Sequence, residues 1–136
     1  SNRKLFLQAD IRKIVLANPK LAPYGKAAEE TLKSYGCYDK VKDKLILGES
    51  LAQVNQYIFN ESAEIGFTAK SVVLGSEMKG KGKWIEVDAR DYRPIKQSAV
   101  LLKSSHKTKG KAAADFFKYL YQPKCQGIFR NYGYKI

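Results

Sequence analysis

Four consecutive apolar residues, Ile14-Val15-Leu16-Ala17, run into a proline-framed loop and leave it as an amphipathic helix pattern. An unbroken apolar run of this kind suits a strand covered on both faces. The helix pattern sets Ala27, Ala28, Thr31, Leu32 and Tyr35 at spacings of one, three and four. Strand, short loop and helix start together make a backbone device for holding an anion. The first N–H groups of a helix have no partner inside it, and the helix dipole adds partial positive charge there. Pro23 sits where its missing N–H costs nothing, and Gly25 keeps the approach open.

The unit recurs. Lys44 to Leu47 reads as a second apolar strand, and Ser50 as the N-cap of a helix carrying Leu51, Val54, Gln56, Tyr57 and Ile58. The amides of Leu51 and Ala52 then point past the strand end. Two helix N-termini at neighbouring strand ends could converge on one tetrahedral anion. Further along, the pattern predicts a helix over Pro23 to Tyr35 closed by Gly36, and a helical turn over Tyr38 to Lys42. Ile65 to Ala69 reads as a short strand, Ser71 to Leu74 as a helical turn and Trp84 to Val87 as an alternating edge strand. Ser98 to Leu102 reads as another apolar strand. Ala112 to Tyr121 reads as a helix with Phe116, Phe117 and Leu120 on its buried side, and Pro123 opens a last helix ending before Gly133. This alternation predicts an α/β fold: a mostly parallel sheet flanked by helices, with right-handed crossovers and ligands at the strand C-terminal ends.

The chain of 136 residues is long enough for a real core, and 44% hydrophobic residues fit a globular protein. No apolar run is long enough to span a membrane, and the N-terminus has no charged-then-apolar signal pattern. A formal charge of +12 raises nucleic acid or another acidic surface as a partner class. The basic residues are spread along the chain, however, and no segment combines dense arginine with interleaved aromatics. No nucleic-acid partner is therefore expected, and a basic nucleic-acid-binding α/β module is kept as the alternative reading.

No catalytic constellation emerges, so the chain is not expected to be an enzyme. His106, the only histidine, lies in a polar stretch without a nucleophile motif around it. Gly75 to Gly82 nearly matches a phosphate-binding P-loop, but Gly82 replaces the Ser or Thr and a strand pattern follows. Glu86, Asp88 and Asp91 read as solvated charges or as partners of nearby Lys and Arg. Cys37 and Cys125 have no metal spacing and read as two small, partly buried thiols; a disulfide is allowed by number alone. No metal site and no cofactor are expected.

The segment Asn18-Pro19-Lys20-Leu21-Ala22-Pro23-Tyr24-Gly25-Lys26-Ala27-Ala28-Glu29-Glu30-Thr31-Leu32 resembles the signature of the periplasmic molybdate-binding proteins of ABC transporters. The resemblance continues through Tyr38 to Ser50, Ala63 to Ala69, Tyr92 to Leu102 and Ile128 to Tyr134, five blocks in register from about Asp10 onward. It implies a type-II periplasmic-binding-protein lobe, the second lobe plus the C-terminal segment, with the family's N-terminal lobe not covered. It implies a division into an anion-binding lobe, 1–95, and a hinge-return strand with C-terminal helices, 96–136, that completes or contacts the other lobe. The hinge crossing falls near Pro94 to Gln97.

The implied function is periplasmic capture of molybdate or tungstate, held as an oxyanion, for delivery to an ABC-transporter membrane permease. The same fold could bind sulfate or another small anion. The implied contacts are the backbone amides of Tyr24 and Leu51, with Pro23, Gly25 and Ser50 shaping the two helix starts. A tyrosine hydroxyl that some members add falls on Ala69 here, so that contact is lost, and the hydroxyl of Tyr24 is placed to compensate. Half a cage implies weak binding by this chain alone, and a bare lobe-facing surface implies self-association.

Overall fold

The computed structural model describes residues 3–104 and 110–136, which leaves the segment around His106 outside the described residues. The chain divides into two compact units, Ser1–Ile95 and Lys96–Ile136. The first unit opens with a helical turn, α1 (Arg3–Phe6), followed by β1 (Ile14–Ala17) and α2 (Pro23–Ser34). Next come α3 (Tyr38–Val41), a 3-10 turn (Lys42–Lys44), β2 (Leu45–Gly48), α4 (Leu51–Phe59), β3 (Ile65–Gly66) and α5 (Lys70–Leu74). The second unit holds α6 (Gly110–Tyr119) and α7 (Pro123–Asn131).

The sheet is parallel, in the order β2-β1-β3. Ile14 pairs with Leu45 and Ala17 with Gly48 on one side, while Ile14 pairs with Ile65 on the other. β1 is central, and all four of its residues are buried, as its unbroken apolar run requires. From β1 the chain crosses by α2 to one neighbour. From β2 it crosses by α4 over β1 to the opposite edge. Right-handed crossovers in opposite directions put the two helices on opposite faces, and the core divides accordingly. Ile14 packs with Leu32 of α2, Val41, Cys37, Phe6 and Ile11. Val15 and Ala17 pack with Val54 of α4, joined by Ile58, Tyr57 and Ile46.

Local chemistry fixes the helix ends. Gly36, at φ +61°, closes α2, with its N–H donating to Lys33 O and the Cys37 N–H donating to Leu32 O. That pair of bonds satisfies two end carbonyls, and the flanking Leu32 and Cys37 side chains share one cluster. Gly133, at φ +82°, does the same for α7, and there Phe129 and Tyr134 make the accompanying ring contact at 5.9 Å.

Four expectations need correction. β3 covers two residues rather than Ile65 to Ala69. The Phe67 N–H still donates to Val15 O, but Thr68 turns its hydroxyl to Asn55 Oδ1 at 2.5 Å and Ala69 becomes the N-cap of α5. Trp84 to Val87 and Ser98 to Leu102 form no strand among the described residues. Alternation supplies a face but not a ladder partner, and an extended segment without one gains no strand hydrogen bonds. Glu86 instead pairs with Lys70 at 2.7 Å, and Val100 stands 77% exposed. Finally, α6 buries none of its residues: Phe116 is exposed, and Phe117 and Leu120 are only half-buried.

Glu64 stitches β3 to the start of β1, accepting from the backbone N–H groups of Lys13 at 2.7 Å and Arg12 at 3.1 Å. The Lys13 bond holds its carboxyl below the usual glutamate range. A depressed pKa contributes stability above the unfolded-state value and loses it as pH falls through the folded one. Glu64→Gln is therefore expected to lower the urea midpoint at pH 7 and to converge on the parent near pH 3. An equal deficit at both values would count against a charged tie.

Both cysteines are free and buried. Burial pushes the Cys37 thiol up, and its Sγ donates to Leu32 O at 3.5 Å. A disulfide reagent is expected to react slowly with the native chain and to titrate two thiols once the chain is unfolded. One thiol or none under denaturant would refute this.

Candidate functional site

The helices α2 and α4 begin at the carboxyl ends of adjacent parallel strands and leave on opposite faces. Both helix N-termini therefore lie beyond the carboxyl ends of neighbouring strands, the end of an open α/β sheet at which ligands bind. Three observations fix its geometry.

The first is the seat of α2 on β1. A side chain on Gly25 would put its Cβ 2.0 Å from the Ala17 carbonyl oxygen and 2.9 Å from the carbonyl carbon of Asn18. Only a residue without Cβ lets the helix start lie backbone to backbone on the strand end. Ala22, in extended conformation, is the N-cap and makes no side-chain cap bond, and Pro23 follows at the first helical position. The first intrahelical bond runs from the Lys26 N–H to Ala22 O, so Tyr24 and Gly25 stand in the turn whose amides precede it. Gly25 is buried and Tyr24 half-buried.

The second is the loop between strand and helix. The Asn18 N–H donates to Gly48 O at 2.7 Å, extending the β1–β2 pairing by one bond and tying the two strand ends together. Asn18 Oδ1 accepts from the Lys20 N–H, and its carbonyl accepts from the N–H groups of Leu21 and Ala22. The loop satisfies itself around Asn18.

The third is the cap of α4. Ser50 is the N-cap, with its hydroxyl oxygen accepting from the Gln53 N–H at 3.2 Å. Gln53 Oε1 accepts from the Glu49 N–H at 2.8 Å, a reciprocal arrangement close to a capping box. Both acceptor side chains are thereby occupied. Leu51 and Ala52 are the first two residues of the helix, and their N–H groups have no intrahelical partner. Gly48 keeps this turn tight: a Cβ there would stand 2.9 Å from a Val54 methyl.

The structure thus gathers the expected residues Pro23, Tyr24, Gly25, Ser50 and Leu51 at two helix starts linked through the Asn18–Gly48 bond. Asn18 and Gln53 went unnoticed in the sequence. Signals existed for both: asparagine opening a turn before proline, and glutamine three residues after a serine cap. Ala69, where a tyrosine hydroxyl had been considered, is buried and has no polar side chain to offer.

Several charged groups away from the two helix starts are paired. Arg90 binds Asp88 through Nε and Nη2 and holds its carboxyl down to about 2. Ser34 donates to Asp91 at 2.6 Å, and Glu30 accepts from the Arg93 N–H at 2.8 Å, which straps the segment 88–93 to the outer side of α2. Among the described residues no group of His, Cys, Asp and Glu could hold a metal ion. No helix there is long and apolar enough to cross a membrane. The Gly75 to Gly82 stretch forms turns and no helix follows it, so it lacks the geometry of a P-loop.

Similarity to known proteins agrees with this geometry. The family described as bacterial extracellular solute-binding protein matches residues 2–135. The molybdate-binding protein ModA of Rhodobacter capsulatus is 38% identical over 128 residues, covering 94% of this chain and 49% of that protein. ModA of Azotobacter vinelandii is 40% identical over 125 residues, covering 89% of this chain and 47% of that protein. A putative ABC transporter substrate-binding lipoprotein of Bacillus subtilis, YvgL, is 29% identical over 93% of this chain. The chain spans about half the length of these relatives. Among solved structures, the periplasmic molybdate-binding protein of Azotobacter vinelandii superposes with a TM-score of 0.86 at 29% identity, over 98% of this chain and 58% of that one. The substrate-binding domain of a putative molybdenum ABC transporter from Clostridium difficile superposes with a TM-score of 0.69 at 26% identity, over 97% of this chain and 56% of that one. With its parallel sheet and flanking helices, the chain belongs to the bacterial extracellular solute-binding protein family.

Proposed function

We propose that this chain is the second lobe, with the C-terminal segment, of a periplasmic binding protein that captures molybdate or tungstate for an ABC-transporter permease. The observation that carries the reading is the pair of helix starts at the carboxyl ends of β1 and β2, joined by the Asn18–Gly48 bond. Molybdate-binding relatives covering nearly the whole chain support the ligand class.

In this reading the amides of Tyr24 and Leu51 hold oxygens of the anion. Pro23 presets the first turn of α2, Gly25 lets it seat on the strand end, and Ser50 holds the first turn of α4. Neutral donors suit a dianion that stays deprotonated near neutral pH, because a protonated anion's O–H would meet no acceptor. The fixed separation of two helix ends selects by size, which disfavours the smaller sulfate. The role is capture without catalysis, and the ligand is not a cofactor. Residues 1–95 form the anion-binding lobe. Residues 96–136 carry the return from the hinge and pack on the other lobe, which also supplies a ladder partner for Ser98 to Leu102. Closure is a hinge motion between lobes. A chain that lacks this cover is expected to self-associate through Phe116 and its neighbours. A concentration-independent monomer mass by light scattering would contradict that.

The test is isothermal titration of the natural protein that carries this chain with molybdate, tungstate, sulfate and phosphate. Tight binding of the first two, with sulfate and phosphate silent, is expected. The 136-residue chain alone is expected to bind far more weakly. Silence toward molybdate and tungstate in the natural protein would overturn the reading.

A further inference from the structure

The segment Met78-Lys79-Gly80-Lys81-Gly82-Lys83-Trp84-Ile85 plays no part in the anion site. It places three lysines on alternate residues, separated by glycines, directly before two large apolar side chains. All three lysines are exposed, Trp84 is 47% exposed and Ile85 56%. Around Gly80 and Gly82 a Cβ would meet nothing within 4 Å, so the loop stands in open space. Lys81 holds its ammonium over the ring of Phe59, 4.4 Å from the centroid, and Phe59 is itself 53% exposed. Phe59 is the last residue of α4, and Leu51, at the anion site, is the first. The helix axis therefore puts about 12 Å between the anion site and the loop's contact on α4.

The local charge is one-sided. Glu86 pairs with Lys70 at 2.7 Å and Asp88 with Arg90 at 2.6 Å, which leaves Glu77 as the next acid in sequence to Lys79, Lys81 and Lys83. We propose that this loop is a docking surface for an anionic phospholipid membrane. Lysine stems reach phosphates while their methylenes lie along apolar surface, and tryptophan settles at the headgroup boundary. Each lysine near an anionic leaflet adds its own attraction, so three together give binding that is reversible and salt-sensitive. The Lys81–Phe59 contact is the joint. When Lys81 turns to a phosphate, the Phe59 ring is left bare for the interface.

Trp84 is the only tryptophan of the chain, so its emission reads this loop alone. The experiment titrates the 136-residue chain with phosphatidylglycerol vesicles and with phosphatidylcholine vesicles. A blue shift of Trp84 emission and protection from iodide quenching are expected with phosphatidylglycerol only, and both are expected to disappear in 0.5 M salt. The triple variant Lys79→Ala, Lys81→Ala, Lys83→Ala is expected to lose at least tenfold in vesicle affinity. A charge-matched variant, Lys111→Ala, Lys118→Ala, Lys124→Ala, is expected to lose less than threefold. Equal losses in the two variants, or vesicle binding without a change at Trp84, would overturn the proposal. So would a Trp84 shift with an RNA homopolymer and none with phosphatidylglycerol vesicles. Oxyanion binding enters none of these readouts.

Discussion

Gly25→Ala is expected to destabilise the chain by about 3 kcal/mol, the upper range for forcing extra volume into a packed site. The added methyl would sit 2.0 Å from a carbonyl oxygen of β1, a backbone atom that cannot swing aside as a flexible side chain would. Relief requires lifting the first turn of α2 from the central strand. That exposes part of the seam that Ala28, Leu32 and Ile14 bury. Glycine-to-alanine changes inside helices otherwise tend to stabilise, through propensity and a less free unfolded chain, so a large loss would have to come from the contact. Gly82→Ala, where a Cβ meets nothing, is the control and is expected to stay within about 0.5 kcal/mol. Urea unfolding followed by far-ultraviolet circular dichroism reads both. Equal midpoints for the two variants would mean that α2 is not seated on the strand as described.

The second large effect concerns the ligand. Leu51→Pro is expected to weaken molybdate binding by the natural protein that carries this chain by about 10- to 100-fold. One charge-assisted hydrogen bond is worth about 1.5–3 kcal/mol. Proline at the first helical position deletes an N–H that the helix does not use and leaves the helix intact. The preceding Ser50 is already extended, at φ −144° and ψ 163°, a conformation that proline accepts in its neighbour. Helix content is therefore expected to be unchanged while affinity falls. Unchanged affinity with intact helix content would remove Leu51 from the site and leave the fold untouched.

How legible the site was depends on the range of the interaction that makes each part. Ser50 announced its cap, Pro23 its helix start and Gly36 its helix stop, because each acts on bonds within a few residues. The unbroken run Ile14 to Ala17 announced a doubly covered strand, and the structure buries all four residues. The paired acids near Arg90 were also foreseeable, since Asp88 lies two residues away. Trp84 to Val87 and Ser98 to Leu102 misled for the opposite reason. They carry strand-like patterns, but a strand is completed by a partner whose place in sequence the pattern does not name. Phe116 misled similarly, since an amphipathic helix advertises a face without supplying what covers it.

By itself, then, the sequence determined the order β1, α2, β2, α4, the caps at those helix starts and the presence of two helix starts able to hold an anion. These follow from propensities, turn chemistry and periodicity, which operate over a few residues. Only the tertiary structure decided that the two starts meet. Strand order β2-β1-β3 sets α2 and α4 on opposite faces at neighbouring strand ends, and the Asn18–Gly48 bond and the bare Cα of Gly25 bring both against the central strand. Those contacts join residues 8 to 30 positions apart, and local rules cannot choose among such pairings because the free energy that selects them comes from burying the whole sheet at once.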